Sequence, residues 1–238
     1  MSARDNFAIR SDYTAHAVNA TVPAERQTDY WSPRMIHMAN YYQYHVYLRA
    51  GRLARQHGLQ SALDIGCGPA FKLETLIAPV CKRVVGLDEQ GIVDYCKERF
   101  SFAEFFPYNI ETEPFPLAET FDLVICSDVI EHLVNPDKLL ADIRAATTDK
   151  SIIVLSTPDR DTLRGQGCLL SPKSVHVREW NFEEFANYLA SRGFAVLEHK
   201  LLPPMKFNWS KEYARQWYAQ FRAGRRRESC QMVVCKKK

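Results

Sequence analysis

Two glycines follow directly on an apolar run in the stretch LDIGCGPA at 63–70, and a carboxylate, Asp64, stands just before them. Glycines at the turn after a strand let the backbone approach a ligand closely. The dinucleotide pattern G-x-G-x-x-G needs a third glycine, but Phe71 stands at its place. A carboxylate beside a bound pyrophosphate would also repel it, by about 1–4 kcal/mol for unit charges about 4 Å apart. The turn therefore favours a ligand that is positively charged at this point.

A second carboxylate, Asp88, follows the next apolar run, 20 residues after Gly68. An acidic residue at this place can accept hydrogen bonds from both hydroxyls of a ribose. The alternative is an aspartate that only caps the helix after it. A ligand with a ribose, a positive charge and no phosphate is S-adenosylmethionine, so the two carboxylates predict a site for that cofactor.

These residues need strands and helices to position them, and the chain after residue 58 alternates between the two patterns. Alternation of this kind predicts a parallel sheet with helices on both faces. Predicted strands lie at 61–65, 83–87, 103–108, 121–126, 151–155, 195–200 and 231–235. Predicted helices lie at about 70–78, 90–100, 135–147 and 182–192. The last helix carries a capping-box pattern, with Asn181 as N-cap and Glu184 three residues later, and Gly193 ends it.

A helix is also predicted before this region, beginning after Ser32 with Pro33 in its first turn and ending at Gly58. Its apolar stripe, at spacings of three and four, consists of Met35, Ala39, Tyr42, Val46, Ala50 and Leu53. Tyr41 and Tyr44 on the neighbouring face are candidates for a substrate pocket. The alternative for these tyrosines is a half-buried face under the N-terminal segment.

The polar residues 1–31 are predicted to form an arm or lid over the rest of the chain. We therefore expect an N-terminal arm and cover helix at 1–58 and a cofactor-binding domain at 59–238. A basic, aromatic insert at 201–229 interrupts that domain before its last strand.

Five ordered blocks of the chain resemble the class I S-adenosylmethionine-dependent methyltransferases, in particular the small-molecule branch that includes the quinone-biosynthesis methyltransferases. They are LDIGCGPA at 63–70, VVGLDEQ at 84–90, FDLVICSDVIEHLVNP at 121–136, IIVLSTPDR at 152–160 and HVREWNFEEFANYLASRGF at 176–194. The resemblance implies a Rossmann-like α/β fold. Its sheet would be mixed and seven-stranded, of order 3-2-1-4-5-7-6 with the last strand antiparallel and helices on both faces.

The resemblance also implies which residues surround S-adenosylmethionine. They are Asp64, Gly66, Cys67, Gly68, Asp88, Asn109, Ile110, Ser127 and Asp128. The glycine turn would hold the methionine end, and Asp88 the ribose. Asn109 stands where the family often has an aspartate that accepts a bond from the adenine amino group, and an amide oxygen can still accept it. Ser127 and Asp128 would border the methyl group that is transferred.

Two histidines are candidate general bases, which methyl transfer requires only if the acceptor is a hydroxyl that must lose its proton. His132 follows the fourth strand, and His176 lies where the resembling families often have a histidine close to the acceptor. For each the alternative is a packed, hydrogen-bonded residue. Arg178 is a candidate for binding an acidic substrate, or for pairing with Glu179. The carboxylates of 121–137 are not expected to converge, so no metal site is predicted.

The insert combines basic and aromatic residues. Within 205–227, seven lysines and arginines interleave with six aromatic residues. Tyr213, Trp217 and Phe221 recur every four residues, which predicts a helix with an aromatic face. A lid that places this face, with Trp217, over the substrate is favoured. A groove for RNA and a helix that touches a membrane surface transiently are the alternatives.

Composition narrows the class of protein. The chain has 238 residues, of which 46% are hydrophobic and 25% charged, as in globular domains, and its net charge of +3 does not indicate a nucleic-acid partner. Its seven cysteines are odd in number and lack C-x-x-C spacing, which favours free thiols in a reducing cytoplasm. Neither a signal-peptide pattern nor a membrane-spanning run is predicted.

We therefore expect a cytoplasmic methyltransferase that acts on a small molecule. A hydroxyl oxygen of a sugar, a phenol or quinone precursor, or a natural-product intermediate is favoured as the acceptor over a nitrogen or carbon. An RNA or protein methyltransferase, and a non-catalytic protein that keeps the fold as a binding module, remain the alternatives. A nicotinamide-dependent dehydrogenase is disfavoured by the glycine turn.

Overall fold

Seven strands form one sheet in a computed structural model that describes residues 7–17, 31–224 and 226–238, apart from the side chains of Glu212 and Gln216. The strands are β1 (Ser61–Ile65), β2 (Arg83–Asp88), β3 (Glu104–Pro107), β4 (Phe121–Ser127), β5 (Thr147–Pro158), β6 (Phe194–Leu202) and β7 (Cys230–Lys237). Their order is β3-β2-β1-β4-β5-β7-β6, and the first five pair in parallel. β7 runs antiparallel to both β5 and β6. The predicted strand order and antiparallel last strand are confirmed.

Helices flank this sheet on both faces. They are α1 (Pro33–Met38), α2 (Tyr44–His57), α3 (Gln90–Arg99), α4 (Pro136–Ala145), α5 (Arg160–Arg164), α6 (Phe182–Ser191) and α7 (Lys211–Arg222). A π-helical turn spans Leu73–Ile77 and a 3-10 turn spans Ile130–His132. The capping box at the start of α6 is present as predicted. Sequence patterns gave no signal for the short helix α5.

The helix predicted from Ser32 to Gly58 is wrong in one respect, because it is two helices. Its ends are confirmed, since Ser32 caps α1 and Gly58 ends α2 in the left-handed conformation. Between them the chain breaks at Gln43, which has φ 53°, and the N–H of Gln43 donates to the carbonyl of Pro204 at 2.9 Å. Pairing with this distant segment satisfies backbone groups that a continuous helix would bond internally. Met35, Ala39 and Tyr42 therefore leave the predicted stripe.

Two hydrophobic clusters lie on opposite faces of the sheet. α2, α3 and the π-helical turn cover one face, on which Ala62 and Ile125 are buried. α4 and α6 cover the other face, on which Leu63 and Val124 are buried. Because neighbouring residues of a strand point to opposite faces, this alternation buries both sides of β1 and β4. The carboxyl ends of the parallel strands then form one edge, where ligands bind in open α/β sheets.

The described part of the N-terminal arm, 7–17, packs against the chain before α6. The indole of Trp180 donates to the carbonyl of Phe7 at 2.7 Å, and the hydroxyl of Tyr13 accepts from the N–H of Glu179 at 3.0 Å. Residues 1–6 and 18–30 of the predicted arm lie outside the described residues. The division of the chain at residue 58 stays a prediction.

All seven cysteines are free, and six of them are buried. Among the described residues, no helix is long and apolar enough to cross a bilayer.

Candidate active site

The glycine turn after β1 has no room for side chains. Gly66 has φ 79°, and its N–H donates to the carbonyl of Leu87 at 2.8 Å, which folds the turn over the end of β2. A Cβ on Gly66 would lie 2.4 Å from a methyl carbon of Val129, and one on Gly68 would lie 2.9 Å from the ring of Trp31. Both positions therefore require glycine for steric reasons as well as for backbone conformation.

Asp88, at the end of β2, is held beside this turn by two backbone groups. Its Oδ2 accepts from the N–H of Gly68 at 2.8 Å, and its Oδ1 accepts from the N–H of Glu89 at 2.8 Å. Burial raises the pKa of Asp88 to about 6, although both N–H bonds act to lower it. Each carboxylate oxygen keeps acceptor capacity for one more donor.

A pocket of about 390 Å³ opens over the turn, a volume within the range of small-molecule sites. Eight of the nine residues predicted to surround the cofactor line it: Gly66, Cys67, Gly68, Asp88, Asn109, Ile110, Ser127 and Asp128. They come from the ends of four strands, so the sheet edge brings together residues that are up to 62 positions apart.

The ninth predicted residue, Asp64, lies beneath the pocket and is not among the residues that line it. It is fully buried, and the hydroxyl of Tyr47 donates to its Oδ2 at 2.8 Å. Its Oδ1 is buried without a hydrogen-bond partner in the described chain. Burial raises the pKa of Asp64 to about 7. A helix residue, Tyr47, thus stands between this carboxylate and the site.

Lys72 is a pocket residue that sequence reasoning missed. It is buried at the pocket wall, donates to the carbonyl of Ala39 at 2.7 Å, and places its ammonium 4.9 Å from the ring centre of Tyr47. Burial lowers the pKa of Lys72 to about 8, and the nearby Asp64 acts in the opposite direction. The signal available in the sequence was a lysine in the first helical turn after the glycines.

A larger pocket of about 690 Å³ adjoins the first. The two share Gln43, Asp128 and His132. The larger pocket is built from segments far apart in the chain, including the link between α1 and α2, the segment 203–205, and α7. An antiparallel bridge between Tyr42 and Met205 joins the first two of these segments.

The carboxylate of Asp128 is fixed at the junction of the two pockets. Asp128 has φ 54°, its Oδ2 accepts from the amide of Gln43 at 2.8 Å, and its Oδ1 accepts from the hydroxyl of Ser156 at 2.7 Å. Ser127 lies 2.7 Å from Ser156 and, because that hydroxyl hydrogen points to Asp128, Ser127 donates to Ser156. The chain of hydroxyls sets the orientation of the carboxylate.

His132 also lies at the junction. Its Nδ1 is 2.7 Å from the carbonyl of Val175. A carbonyl can only accept, so Nδ1 carries the hydrogen and Nε2 keeps a free lone pair in the neutral ring. Burial, with the nearby His176 as a second cause, lowers the pKa of His132 to about 4. The imidazole is therefore neutral at physiological pH.

His176 lines the larger pocket and is held from behind by a carboxylate. Its Nδ1 lies 2.6 Å from Oε1 of Glu179. Arg164 donates to the same Oε1 at 3.0 Å and to Oε2 of Glu179 at 3.1 Å. Burial alone would raise the pKa of Glu179, but the bonds from His176 and Arg164 lower it to about 2. The ring of His176 meets that of His132 edge to face, with centres 4.8 Å apart.

The residues predicted to bind substrate fall into two groups. Trp217 lines the larger pocket, together with Tyr213 one turn before it. Tyr41 and Tyr44 lie outside both pockets. Their rings instead contact the ammonium of Lys206, which lies 5.3 Å from the ring centre of Tyr41 and 4.4 Å from that of Tyr44. The break in the helix turns Tyr42 into the pocket in their place.

Arg178 also lies outside both pockets. Its guanidinium donates to the carbonyls of Leu133 at 2.7 Å and Val134 at 3.0 Å, and it packs 4.3 Å from the ring centre of Phe7. Glu179, its expected alternative partner, bonds Arg164 instead. Arg178 therefore holds the loop after β4, and its role in binding a substrate stays a prediction.

Comparisons with known proteins give a consistent result. A family model described as a methyltransferase domain matches residues 29–199. The ubiquinone biosynthesis O-methyltransferase of Glaesserella parasuis is 24% identical over 147 residues, which cover 53% of this chain and 58% of that protein. A second curated relative is covered over 32% of its length, so the chain spans less than two thirds of either protein.

Solved structures share the fold at low sequence identity. A chain of the Haloferax volcanii complex that contains the Trm112 methyltransferase activator matches with a TM-score of 0.69 and 14% identity, over 90% of this chain and 97% of that chain. The plantazolicin methyltransferase BpumL, solved with S-adenosylhomocysteine, matches with a TM-score of 0.60 and 16% identity. That match covers 89% of this chain and 93% of BpumL.

Proposed function

The chain belongs to the methyltransferase domain family of S-adenosylmethionine-dependent enzymes, and we propose that it methylates a hydroxyl oxygen of a small molecule. The observation that carries the proposal is the meeting of the two pockets at Gln43, Asp128 and His132. A cofactor held at the glycine turn would have its reactive end at this junction, next to an acceptor in the larger pocket.

The residues of the smaller pocket fit the cofactor chemically. Asp88, oriented by the N–H of Gly68, would accept bonds from the ribose hydroxyls, and Asn109 would accept one from adenine. Lys72 would pair with the carboxylate of the methionine moiety. Asp64 would act from below, by accepting the hydrogen bond that orients Tyr47 at the pocket wall. When bound, S-adenosylmethionine supplies a methyl group on a positively charged sulfur.

The contribution of the larger pocket would be alignment. Displacement at a methyl carbon needs the acceptor oxygen in line with the breaking bond, and such positioning can contribute several kcal/mol. Tyr42, Tyr213 and Trp217 would hold the body of the acceptor against α7, which would serve as a lid. Glu131, His132 and His176, also on the pocket wall, are the groups that would manage the proton of the hydroxyl.

A small acceptor is favoured over RNA or protein because the larger pocket is a concave cavity of about 690 Å³. The ubiquinone biosynthesis relative and the plantazolicin methyltransferase support the same choice. The eight predicted cofactor residues that line the smaller pocket argue against a non-catalytic binding module. Free cysteines support the cytoplasm as the site of action.

Calorimetry with S-adenosylhomocysteine tests the cofactor assignment. We expect Asp88→Asn to weaken binding about 10–100-fold, the scale of a lost charged hydrogen-bond acceptor. Asp94→Asn, an exposed carboxylate on α3, is the matched control and should bind like the wild type. Equal affinities of the two variants would overturn the ribose assignment, and absence of binding by the wild type would overturn the proposed activity.

The acceptor class is tested by transfer of a radiolabelled methyl group from S-adenosylmethionine. Cell extract divided into small-molecule, RNA and protein fractions provides three candidate pools. We expect label in the small-molecule fraction, in a product stable to mild base as an ether is. Label confined to RNA or protein would contradict a small acceptor.

A further inference from the structure

Three side chains with metal-binding chemistry meet at the wall of the larger pocket: Glu131, His132 and His176. One potential ligand atom from each lies within 4.8 Å of the other two. Glu131 and His132 are adjacent in sequence, but His176 comes 44 residues after His132. The expectation that no metal site forms considered only the carboxylates of 121–137, and the fold adds a distant imidazole to them.

Each of the three side chains is held from behind by a partner on its other atom. Nδ1 of His132 donates to the carbonyl of Val175, and Nδ1 of His176 donates to the carboxylate of Glu179. Oε2 of Glu131 accepts from the hydroxyl of Thr157 at 3.0 Å. These bonds leave two Nε2 atoms and one carboxylate oxygen available. Metal-binding histidines and carboxylates are oriented in this way by a second layer of hydrogen bonds.

Glu131 gives independent support for a bound cation. It is 1% exposed, and within the described part of the chain its closest ion-pair contact is Nε2 of His132 at 3.9 Å. A carboxylate buried without a cation is unfavourable by several kcal/mol.

We propose that Glu131, His132 and His176 bind one divalent first-row transition metal ion at the wall of the acceptor pocket. Two imidazole nitrogens and one carboxylate oxygen suit such ions, among them Zn²⁺, Mn²⁺ and Co²⁺. Ligand atoms about 2.0–2.2 Å from one ion lie about 3–3.5 Å apart. The side chains therefore close by roughly 1–2 Å on binding, a movement that side-chain torsions provide.

Three protein ligands leave coordination positions open toward the pocket, where a hydroxyl of the acceptor can bind. A hydroxyl bound to the cation has a lowered pKa and releases its proton to solvent water. The oxygen lone pair then forms a C–O bond to the methyl carbon as the C–S bond breaks. Its electrons stay on sulfur, which leaves as neutral S-adenosylhomocysteine. This role rests on the proposed function, and it replaces direct proton acceptance by either histidine.

Titration of the metal-free chain with Co²⁺ alone tests the site, followed by calorimetry and visible absorption. We expect one Co²⁺ per chain, a visible spectrum of nitrogen- and oxygen-bound cobalt, and its loss when Zn²⁺ is added. Glu131→Gln, His132→Ala and His176→Ala should each weaken Co²⁺ binding at least tenfold. His57→Ala, an exposed histidine at the end of α2, is the matched control and should bind like the wild type.

Glu179→Gln separates metal binding from a merely structural role of this cluster. It keeps all three ligands but weakens the orientation of His176, so we expect Co²⁺ affinity to fall about 10–100-fold. Binding of S-adenosylhomocysteine should be unchanged in the Glu131, His176 and Glu179 variants, whose side chains lie outside the smaller pocket, and it reports that these variants are folded. His132 lines both pockets, so the folding of His132→Ala is checked by circular dichroism instead.

Two results would overturn the site. One is a wild-type chain that binds S-adenosylhomocysteine but not Co²⁺, which would leave the proposed function intact. The other is Co²⁺ binding that survives in folded His132→Ala and His176→Ala variants. If these variants fail to bind S-adenosylhomocysteine, two other results test the site: the visible spectrum of the wild type with Co²⁺, and the Co²⁺ affinity of Glu179→Gln. A wild-type chain without the cobalt spectrum, or a Glu179→Gln variant with unchanged Co²⁺ affinity, would then overturn the site. A wild type that binds neither ligand would contradict the proposed function as well.

Discussion

The smaller, proposed cofactor pocket and the larger, proposed acceptor pocket share three residues but are built differently. The cofactor pocket is formed by short segments at the ends of neighbouring strands, such as 66–68, 88 and 127–128. The acceptor pocket draws on segments from residue 35 to residue 230, many of them outside the sheet. If the two pockets have the proposed roles, recognition of the common cofactor is encoded by local segments, whereas recognition of the acceptor depends on long-range packing.

The two pockets also differ in how their polar groups are held. Backbone groups bond Asp88 and Lys72 in the cofactor pocket, so the fold itself fixes them. In the acceptor pocket, side chains hold two of the polar groups, since Glu179 holds His176 and Thr157 holds Glu131, while a backbone carbonyl holds His132. We therefore expect substitutions that disturb the backbone, such as replacement of a glycine, to weaken ligand binding most in the first pocket. Replacement of single side chains should affect binding in the second pocket selectively.

The largest effect is expected from Gly66→Ala. The new methyl group meets Val129 at 2.4 Å in a left-handed backbone conformation, so the turn must move. Overpacking and the conformational penalty together cost about 2–4 kcal/mol, which corresponds to about 30–1000-fold weaker binding of S-adenosylhomocysteine. Gly91→Ala, on the exposed start of α3 with nothing within 4 Å, is the control and should leave calorimetric affinity unchanged. Similar affinities for the two variants would contradict a sterically closed turn.

An intermediate effect is expected for Asp64, in the dependence of stability on pH. Its pKa is raised from 3.8 to about 7 in the folded chain, so the fold favours the protonated carboxyl. Its stabilising contribution is complete below about pH 4 and is lost as the pH rises to about 7. Asp64→Asn should remove about 1–3 kcal/mol of this pH-dependent change in the free energy of unfolding.

Urea denaturation at several pH values between 4 and 7 measures this change. Asp94→Asn on the surface should follow the wild-type profile. A profile for Asp64→Asn that is parallel to that of the wild type would show that the buried carboxylate has an ordinary pKa. Burial of the Asp64 carboxylate beneath the smaller pocket would then not lower the free energy of unfolding at neutral pH.

The smallest effect is expected from Trp217→Ala in the acceptor pocket. Removal of one apolar wall should raise KM for the acceptor about 3–10-fold, equivalent to about 0.7–1.4 kcal/mol, while cofactor affinity stays the same. Tyr218→Ala is the control, because this neighbour is exposed on α7 and lies outside both pockets. Steady-state kinetics that show equal KM values for the two variants would remove α7 from acceptor binding.

The sequence predicted the cofactor pocket far better than the acceptor pocket. Residues such as Gly66, Asp88 and Asp128 follow strands whose order a family resemblance supplies, so their convergence could be foreseen. Lys72 was missed because a lysine in a helix has no distinctive local pattern. Asp64 was predicted to line the pocket but lies beneath it. Its contact with Tyr47 joins a strand to a separate helix, and such a contact leaves no local pattern in the sequence.

In the acceptor pocket, local patterns were misleading for a physical reason. A continuous helix at 33–57 satisfied every local preference, but pairing of Gln43 with Pro204 depends on a segment 161 residues away. The break turns Tyr42 rather than Tyr41 or Tyr44 into the pocket. The cluster of Glu131, His132 and His176 likewise depends on the path of the chain between β5 and α6.

A crystal structure with bound S-adenosylhomocysteine tests the central claim most directly, namely that the two pockets meet at the reacting atoms. We predict ribose hydroxyls about 2.7 Å from the carboxylate of Asp88 and the sulfur at the junction of Gln43, Asp128 and His132, open to the larger pocket. A ribose away from Asp88, or a sulfur that faces the closed side of the smaller pocket, would contradict the account.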